Sequence, residues 1–175
     1  HAALRDGALG DPVVTRPGGR LVRIVVGHVV IGPHGRADTV ALVDTRGEIV
    51  QSYLASFTTG DPDAVAAWVT DDFVNEHLSE LGSGSTGRNE YRRRLPGFLS
   101  TFVGAHYTIV TLAEVATPNA GDVIVRYRFE AAYDGTPIDI PGVMWFDVRD
   151  GLVSRRIDLW DSLTFLRQTG QTTQL

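Results

Sequence analysis

The 175-residue chain contains neither cysteine nor lysine; all 16 of its basic residues are arginine. Without cysteine there is no disulfide framework, no thiolate zinc site and no cysteine nucleophile. Without lysine there is no Schiff-base amine and no lysine of a phosphate-binding loop. Long hydrophobic runs are missing too, so nothing approaches the ~18 apolar residues that signal a membrane helix. Acidic residues outnumber basic ones, 21 to 16, for a net charge of −5. That balance argues against a nucleic-acid partner, whose footprint is a basic stripe. The five histidines show no metal-ligand spacing, and no metal is expected. What is present is ordinary for a globular domain: 43% hydrophobic and 21% charged residues, with glycine and proline scattered. The length suits one domain with a sizeable core. Together with arginine-only basicity, this reads as a bacterial, cytoplasmic protein that meets a small molecule or another protein.

The chain divides near residue 44. Residues 1–44 carry five Arg against four Asp, and Leu21–Ile31, a Gly32-Pro33-His34-Gly35 turn and Thr39–Val43 read as a hairpin or a non-native leader. Arg23 and His28 interrupt the apolar run and argue against a signal peptide. From residue 45 the local signals sharpen. Thr45-Arg46-Gly47-Glu48 is a capping box, followed by Val50, Tyr53, Leu54 and Phe57 on one helical stripe. Asp61-Pro62 starts a second helix, in which Asp caps and Pro occupies the first turn. Phe73–Leu78 reads as a short strand, and Arg88–Phe102 as a third helix kinked or split at Pro96. Four strands are then expected, at His106–Ala116, Asp122–Tyr133, Ile138–Val148 and Leu152–Phe165. Asp134-Gly135 and Asp150-Gly151 mark hairpin turns. Helices first and a meander afterwards predict an α+β domain over residues 45–170, with 171–175 as a tail.

Side chains two apart on a strand share a face. Arg126, Arg128 and Glu130 therefore lie together, opposite Val125, Tyr127 and Phe129, and either set could face inward. Arg156, Asp158 and Trp160 share one face of the last strand, as Asn75 and His77 do on the short one. A histidine there titrates near neutrality and could act as base or donor. Gly82-Ser83-Gly84-Ser85-Thr86-Gly87 has the letters of a dinucleotide loop, but it follows a polar strand and precedes hairpins, so it reads as a mouth loop. Arg92-Arg93-Arg94 reads as a solvated helix face.

The segments Thr59–Val74 (TGDPDAVAAWVTDDFV) and Gly151–Gly170 (GLVSRRIDLWDSLTFLRQTG) resemble a SnoaL-like domain of the nuclear transport factor 2-like fold. The resemblance covers about residues 45–170 and implies a cone of three helices packed on a curved, mostly antiparallel sheet. Relatives include polyketide cyclases, ketosteroid isomerases and limonene-type epoxide hydrolases, besides non-enzymatic members, so the fold leaves the reaction open. By resemblance to cyclases, Asp158 becomes the acid/base of a cofactor-free reaction on a small apolar cyclic molecule such as a polyketide or terpenoid. By resemblance to the hydrolases, Arg128 would clamp Glu130 and Asp158, with Asn75 and His77 where water is positioned. Tyr53 matches the oxyanion tyrosine of the isomerases, although that family's base position falls on His77 and its second acid on Met144. Trp68, Phe73, Phe102, Met144 and Phe146 are expected to line the pocket. Two chains are expected to pair through the sheet. A non-catalytic ligand-binding or dimerisation module is the competing class.

Overall fold

The computed structural model describes residues 45–116 and 121–171, so the expected hairpin before residue 44 lies outside the described residues. The capping box forms as its spacing dictates. The Thr45 hydroxyl accepts from the Glu48 amide at 3.3 Å and the Glu48 carboxylate accepts from the Thr45 amide at 2.7 Å. Helix α1 (Arg46–Ser56) then buries Ile49, Val50, Tyr53 and Leu54. A short 3-10 turn at Phe57–Thr59 leads to α2 (Pro62–Ala66), capped by Asp61. A chain beginning at Asp44 is expected to keep a cooperative thermal transition, because this core starts at α1. Calorimetry showing no such transition would make the preceding residues part of the core.

Strand β1 (Val69–His77) begins earlier than expected, because Val69 and Thr70 are already buried. The two-residue β2 (Ser85–Thr86) pairs antiparallel with it. Helix α3 (Arg88–Thr101) runs through Pro96 as one element. Then come β3 (Phe102–Ala116), β4 (Gly121–Tyr133), β5 (Thr136–Arg149) and β6 (Leu152–Trp160). Both Asp-Gly turns carry positive φ at each residue, 48° and 74° at Asp134-Gly135 and 53° and 76° at Asp150-Gly151. This is the geometry that lets a two-residue loop match strand twist. The last expected strand is too long by several residues. It stops at Trp160, where the Asp161 carboxylate accepts from the Thr164 amide at 2.9 Å and starts α4 (Ser162–Gln168). The domain therefore has four helices rather than three.

The strands form one curved six-stranded sheet in the order β2-β1-β6-β5-β4-β3. The meander β3 to β6 is antiparallel, whereas β1 runs parallel to β6. Strand β4 buries Val123, Val125, Tyr127 and Phe129 beneath the helices, which turns Arg126, Arg128 and Glu130 outward. Arg128 grips the Asp139 carboxylate with a two-pronged fork, and Glu130 accepts from the Thr108 hydroxyl at 2.8 Å beside His106. These ion pairs keep their hydration, which an inward pair would lose at a cost of several kcal/mol per ion. The expected inward clamp of Arg128 on Glu130 and Asp158 is thus corrected. Among the described residues no helix is long and apolar enough to cross a membrane.

Candidate active site

A cavity of about 460 Å³ lies between α3, α4 and the inner face of the sheet, a size typical of small-molecule sites. Its walls are aromatic, with Phe57, Phe98, Phe102, Tyr107 and Phe129 packed ring against ring. Of the residues expected as lining, Phe102 is there. Phe73, Met144 and Phe146 are instead fully buried in the core, and Trp68 packs half-buried against that core rather than on the cavity wall.

The floor is polar, and the parallel seam between β1 and β6 makes it so. Asn75 is in register with Arg156, and His77 with Asp158. The two-residue period puts all four on the inner face. Arg156, 5% exposed, donates from all three guanidinium nitrogens: Nε to Asn75 Oδ1 at 2.8 Å, Nη1 to the Tyr53 hydroxyl at 3.2 Å and Nη2 to His77 Nε2 at 3.3 Å. Asn75 Nδ2 also donates to His77 Nε2, at 3.3 Å. A nitrogen that accepts from two donors carries no proton, so the imidazole is neutral with its hydrogen on Nδ1. Burial first, and the Arg156 charge second, hold His77 down to about 3. Its Nδ1 lies 3.8 Å from Asp158 Oδ2 and has no hydrogen-bond partner among the described residues. This is a neutral donor facing a carboxylate, not an ion pair.

Asp158 is 4% exposed, and its Oδ1 accepts from the Tyr127 hydroxyl at 2.6 Å. Burial raises its carboxyl above the usual range, outweighing the Arg156 charge and the Tyr127 hydrogen bond, both of which pull it down. Glycine at 142 makes the tyrosine contact possible. Gly142 stands opposite Tyr127 on β5, and a Cβ there would come within 2.4 Å of the phenol hydroxyl and ring. Gly142→Ala is therefore expected to cost about 1–3 kcal/mol through overpacking. It should also displace the hydroxyl and raise the Asp158 carboxyl further, which a carbon-13 NMR titration of that carboxyl would read. An unmoved titration would refute this role for Gly142.

Tyr53 is fully buried and stands behind the cavity rather than on its wall. It touches Tyr91 hydroxyl to hydroxyl at 2.6 Å. Arg156 already fills one lone pair of Tyr53, and either hydroxyl can donate in the Tyr53–Tyr91 contact. When Tyr53 donates, the Tyr91 hydrogen, on α3, is free to point into the cavity that Tyr91 lines. Arg156, Tyr127 and Tyr91 are thus members of the site that the sequence reading did not assign. Arg156 and Tyr127 were detectable from their alternation with Asp158 and Phe129. Tyr91 had no local signal.

A curved sheet closed by helices around an apolar cavity with a polar floor is the architecture of the nuclear transport factor 2-like superfamily. Within it the chain belongs to the SnoaL-like domain family, whose sequence model matches residues 50–156, more than half of its length. Among solved structures it is similar to a Catenulispora acidiphila protein with a ketosteroid isomerase-like fold, in complex with trimethylamine (TM-score 0.63, 19% identity, covering 74% of this chain and 100% of that one). It is similar also to an LEH-like epoxide hydrolase of M. tuberculosis (TM-score 0.59, 19% identity, 71% and 89% covered) and to PrhC of Penicillium brasilianum (TM-score 0.60, 16% identity, 70% and 84% covered). At these identities the likeness establishes the fold. No curated protein matches the chain significantly in sequence.

Proposed function

We propose that the chain is a cofactor-free acid–base enzyme of cyclase or isomerase type, acting on a small, largely apolar cyclic molecule of polyketide or terpenoid kind. The observation that carries this reading is Asp158: a buried carboxylate with a raised pKa, set in an aromatic cavity, whose Oδ2 accepts no hydrogen bond from the described residues. Burying a charge without full pairing is costly, and such groups concentrate where proton transfer is done. A purely ligand-binding cavity would have no need of it.

In the proposed reaction Asp158 Oδ2 removes a proton from a carbon beside a carbonyl. The C–H electron pair becomes the carbon–carbon double bond of an enolate as the carbonyl π pair moves onto its oxygen, toward the Tyr91 hydroxyl. Asp158 then returns the proton to a different atom, either after a double bond has shifted or after the carbanion has closed a ring. Arg156 touches no substrate in this scheme; it holds Asn75, His77 and Tyr53 in place and supplies the positive charge near Asp158. Epoxide hydrolysis of the limonene type is less well supported, because Glu130 points outward and a second carboxylate does not line the cavity among the described residues. Deuterium exchange at the acidic carbon of cyclic β-keto esters, followed by NMR for the parent and Asp158→Asn, tests the reading alongside a panel of epoxides. Equal exchange by the two proteins would end it.

We also propose that two copies pair through the outer face of the sheet. Ile124, Val143, Trp145, Ile157 and Leu159 are neighbours there by register, with Trp145 38% and Leu159 46% exposed. A contiguous apolar patch of this kind marks an interface. Sedimentation velocity at micromolar concentration is expected to show a dimer, and Trp145→Glu a monomer. A monomeric parent would overturn it.

A further inference from the structure

Helix α3 places an arginine at the cavity mouth. Arg88 pairs with Asp71 and Arg92 with Asp63, while Arg93 and Arg94 share the single carboxylate of Glu90. Two guanidinium groups on one carboxylate leave a surplus positive charge. Of these four arginines, Arg94 is the one that lines the cavity. Its Nε donates to Glu90 at 2.6 Å, and its Nη1 donates to the Gly84 carbonyl at 2.6 Å and the Ser83 hydroxyl at 3.1 Å. The guanidinium is thereby fixed across the loop between β1 and β2, with Nη2 making no hydrogen bond to the described residues. Glu80 in that loop is exposed, does not line the cavity and forms no ion pair among the described residues. At the floor, the one charged pair, Arg156 and Asp158, balances internally. Apart from that pair, the neutral His77, Asn75 and the serines Ser83 and Ser85, the cavity is aromatic and aliphatic, so a cation that shares its only carboxylate, at the entrance, is the charged feature by which one end of a ligand can be told from the other.

We infer that Arg94 is a specificity determinant that receives an anionic group, a carboxylate or its equivalent, on the end of the substrate that stays at the mouth while the apolar ring system enters. The substrate class is then an apolar cyclic acid rather than a neutral ring compound. The inference rests on the cavity's being the substrate site, as proposed above, but not on the acid–base role of Asp158. A guanidinium held in place by three other contacts is well suited to the task, because little side-chain freedom remains to be lost when the anion docks.

The test uses two fluorescent probes with one ring skeleton, 8-anilinonaphthalene-1-sulfonate and the uncharged N-phenyl-1-naphthylamine, titrated into the parent chain and into variants. The parent is expected to bind the sulfonate about 10-fold more tightly than the neutral probe, the scale of one charge-assisted contact. Arg94→Gln should remove that preference while leaving the affinity for the neutral probe unchanged, and Arg94→Lys should keep part of it. Arg126→Gln makes the same change in net charge on the outer face of the sheet, away from Glu90 and the cavity, and should leave the preference intact. Asp158→Asn should keep the preference even as it abolishes exchange chemistry, so failure of the catalytic reading and failure of this one are separable. Absence of a preference in the parent, including absence of binding by either probe, would overturn the inference. So would a preference that survives Arg94→Gln, or an equal fall in affinity for both probes, which would make Arg94 only a brace for the loop.

Discussion

Asp158→Asn is expected to lower turnover by about 10²–10⁴-fold, the usual worth of a positioned acid–base group, with little change in melting temperature. The amide keeps the size of the carboxylate and an oxygen to accept from Tyr127 at the distance now occupied by Oδ1, 2.6 Å. What it loses is the titrating atom. The pH dependence sharpens the test. In the parent, turnover should rise with pH through an apparent pKa above the ordinary aspartate value of 3.8, since burial raises this group; in Asp158→Asn that rising limb should be gone. Stability carries a matching signature. A raised carboxyl holds its proton more tightly folded than unfolded, so its contribution is full below 3.8 and is lost as pH climbs through the raised value. His77 acts oppositely, because its folded pKa of about 3 lies below the ordinary 6.5. The stability it provides is present above 6.5 and drains away as pH falls toward 3. Asp158→Asn should abolish the first dependence and leave the second. Unchanged turnover in this variant would sink the mechanism.

Arg156→Met is expected to be the most destabilising single change at the site, by about 3–5 kcal/mol, the scale for removing one partner from a buried charged network. Its loss leaves Asn75 Oδ1 without a donor and takes one hydrogen bond each from the Tyr53 hydroxyl and His77 Nε2, which keep Tyr91 and Asn75 Nδ2. It also deprives Asp158 of the nearby positive charge that now lowers its pKa. The Asp158 proton should be held to still higher pH, and the melting temperature should drop by about 10 °C or more. A double-mutant cycle isolates the electrostatic part. Arg156→Met combined with Asp158→Asn should lose less than the two singles summed, since the second change removes the stranded carboxylate. Arg128→Met serves as the contrast, because its partner Asp139 lies on the solvated face, and it should melt close to the parent. A parent-like melting temperature for Arg156→Met would show that the floor network contributes little to the fold.

That contrast between two arginines marks where the sequence stops being informative. Alternation along β4 shows that Arg126, Arg128 and Glu130 share a face, and alternation along β6 shows the same for Arg156 and Asp158. Neither pattern says which face turns inward, because that depends on which side of the sheet the helices cover. Both arginine-bearing faces look alike as strings; only β6 turns its charges in. The strongly local features were legible: the Thr45-Glu48 box, the Asp61-Pro62 start and the two Asp-Gly hairpins, each complete within four residues. Helix α4 was hidden because its cap, Asp161, sits in the mixed stretch from Leu159 to Phe165, where apolar Leu159, Leu163 and Phe165 alternate and read equally well as strand. Apolar character does not separate cavity wall from solid core: Phe102 lines the cavity, whereas Phe73, Met144 and Phe146 lie in the core and Trp68 packs against it. Tyr91 entered the site through a contact with Tyr53, 38 positions earlier, which no periodicity encodes.

The parallel seam of β1 with β6 also sets an order of assembly. Strands β4, β5 and β6 are joined by two-residue turns and can find one another quickly, whereas pairing Asn75 with Arg156 and His77 with Asp158 closes a loop of 81 residues in each case. Loop-closure entropy delays such long-range pairing relative to the hairpins. A chain in which the meander has formed and β1 has not docked would already have most of its sheet, yet its Arg156 would face water and its histidine would be elsewhere. Because β1 is bordered on its far side by only the two residues of β2, the same seam is the natural place for the native protein to open. The proposed activity is then expected to be the last property gained in refolding and the first forfeited under mild denaturation, ahead of any loss of bulk secondary structure.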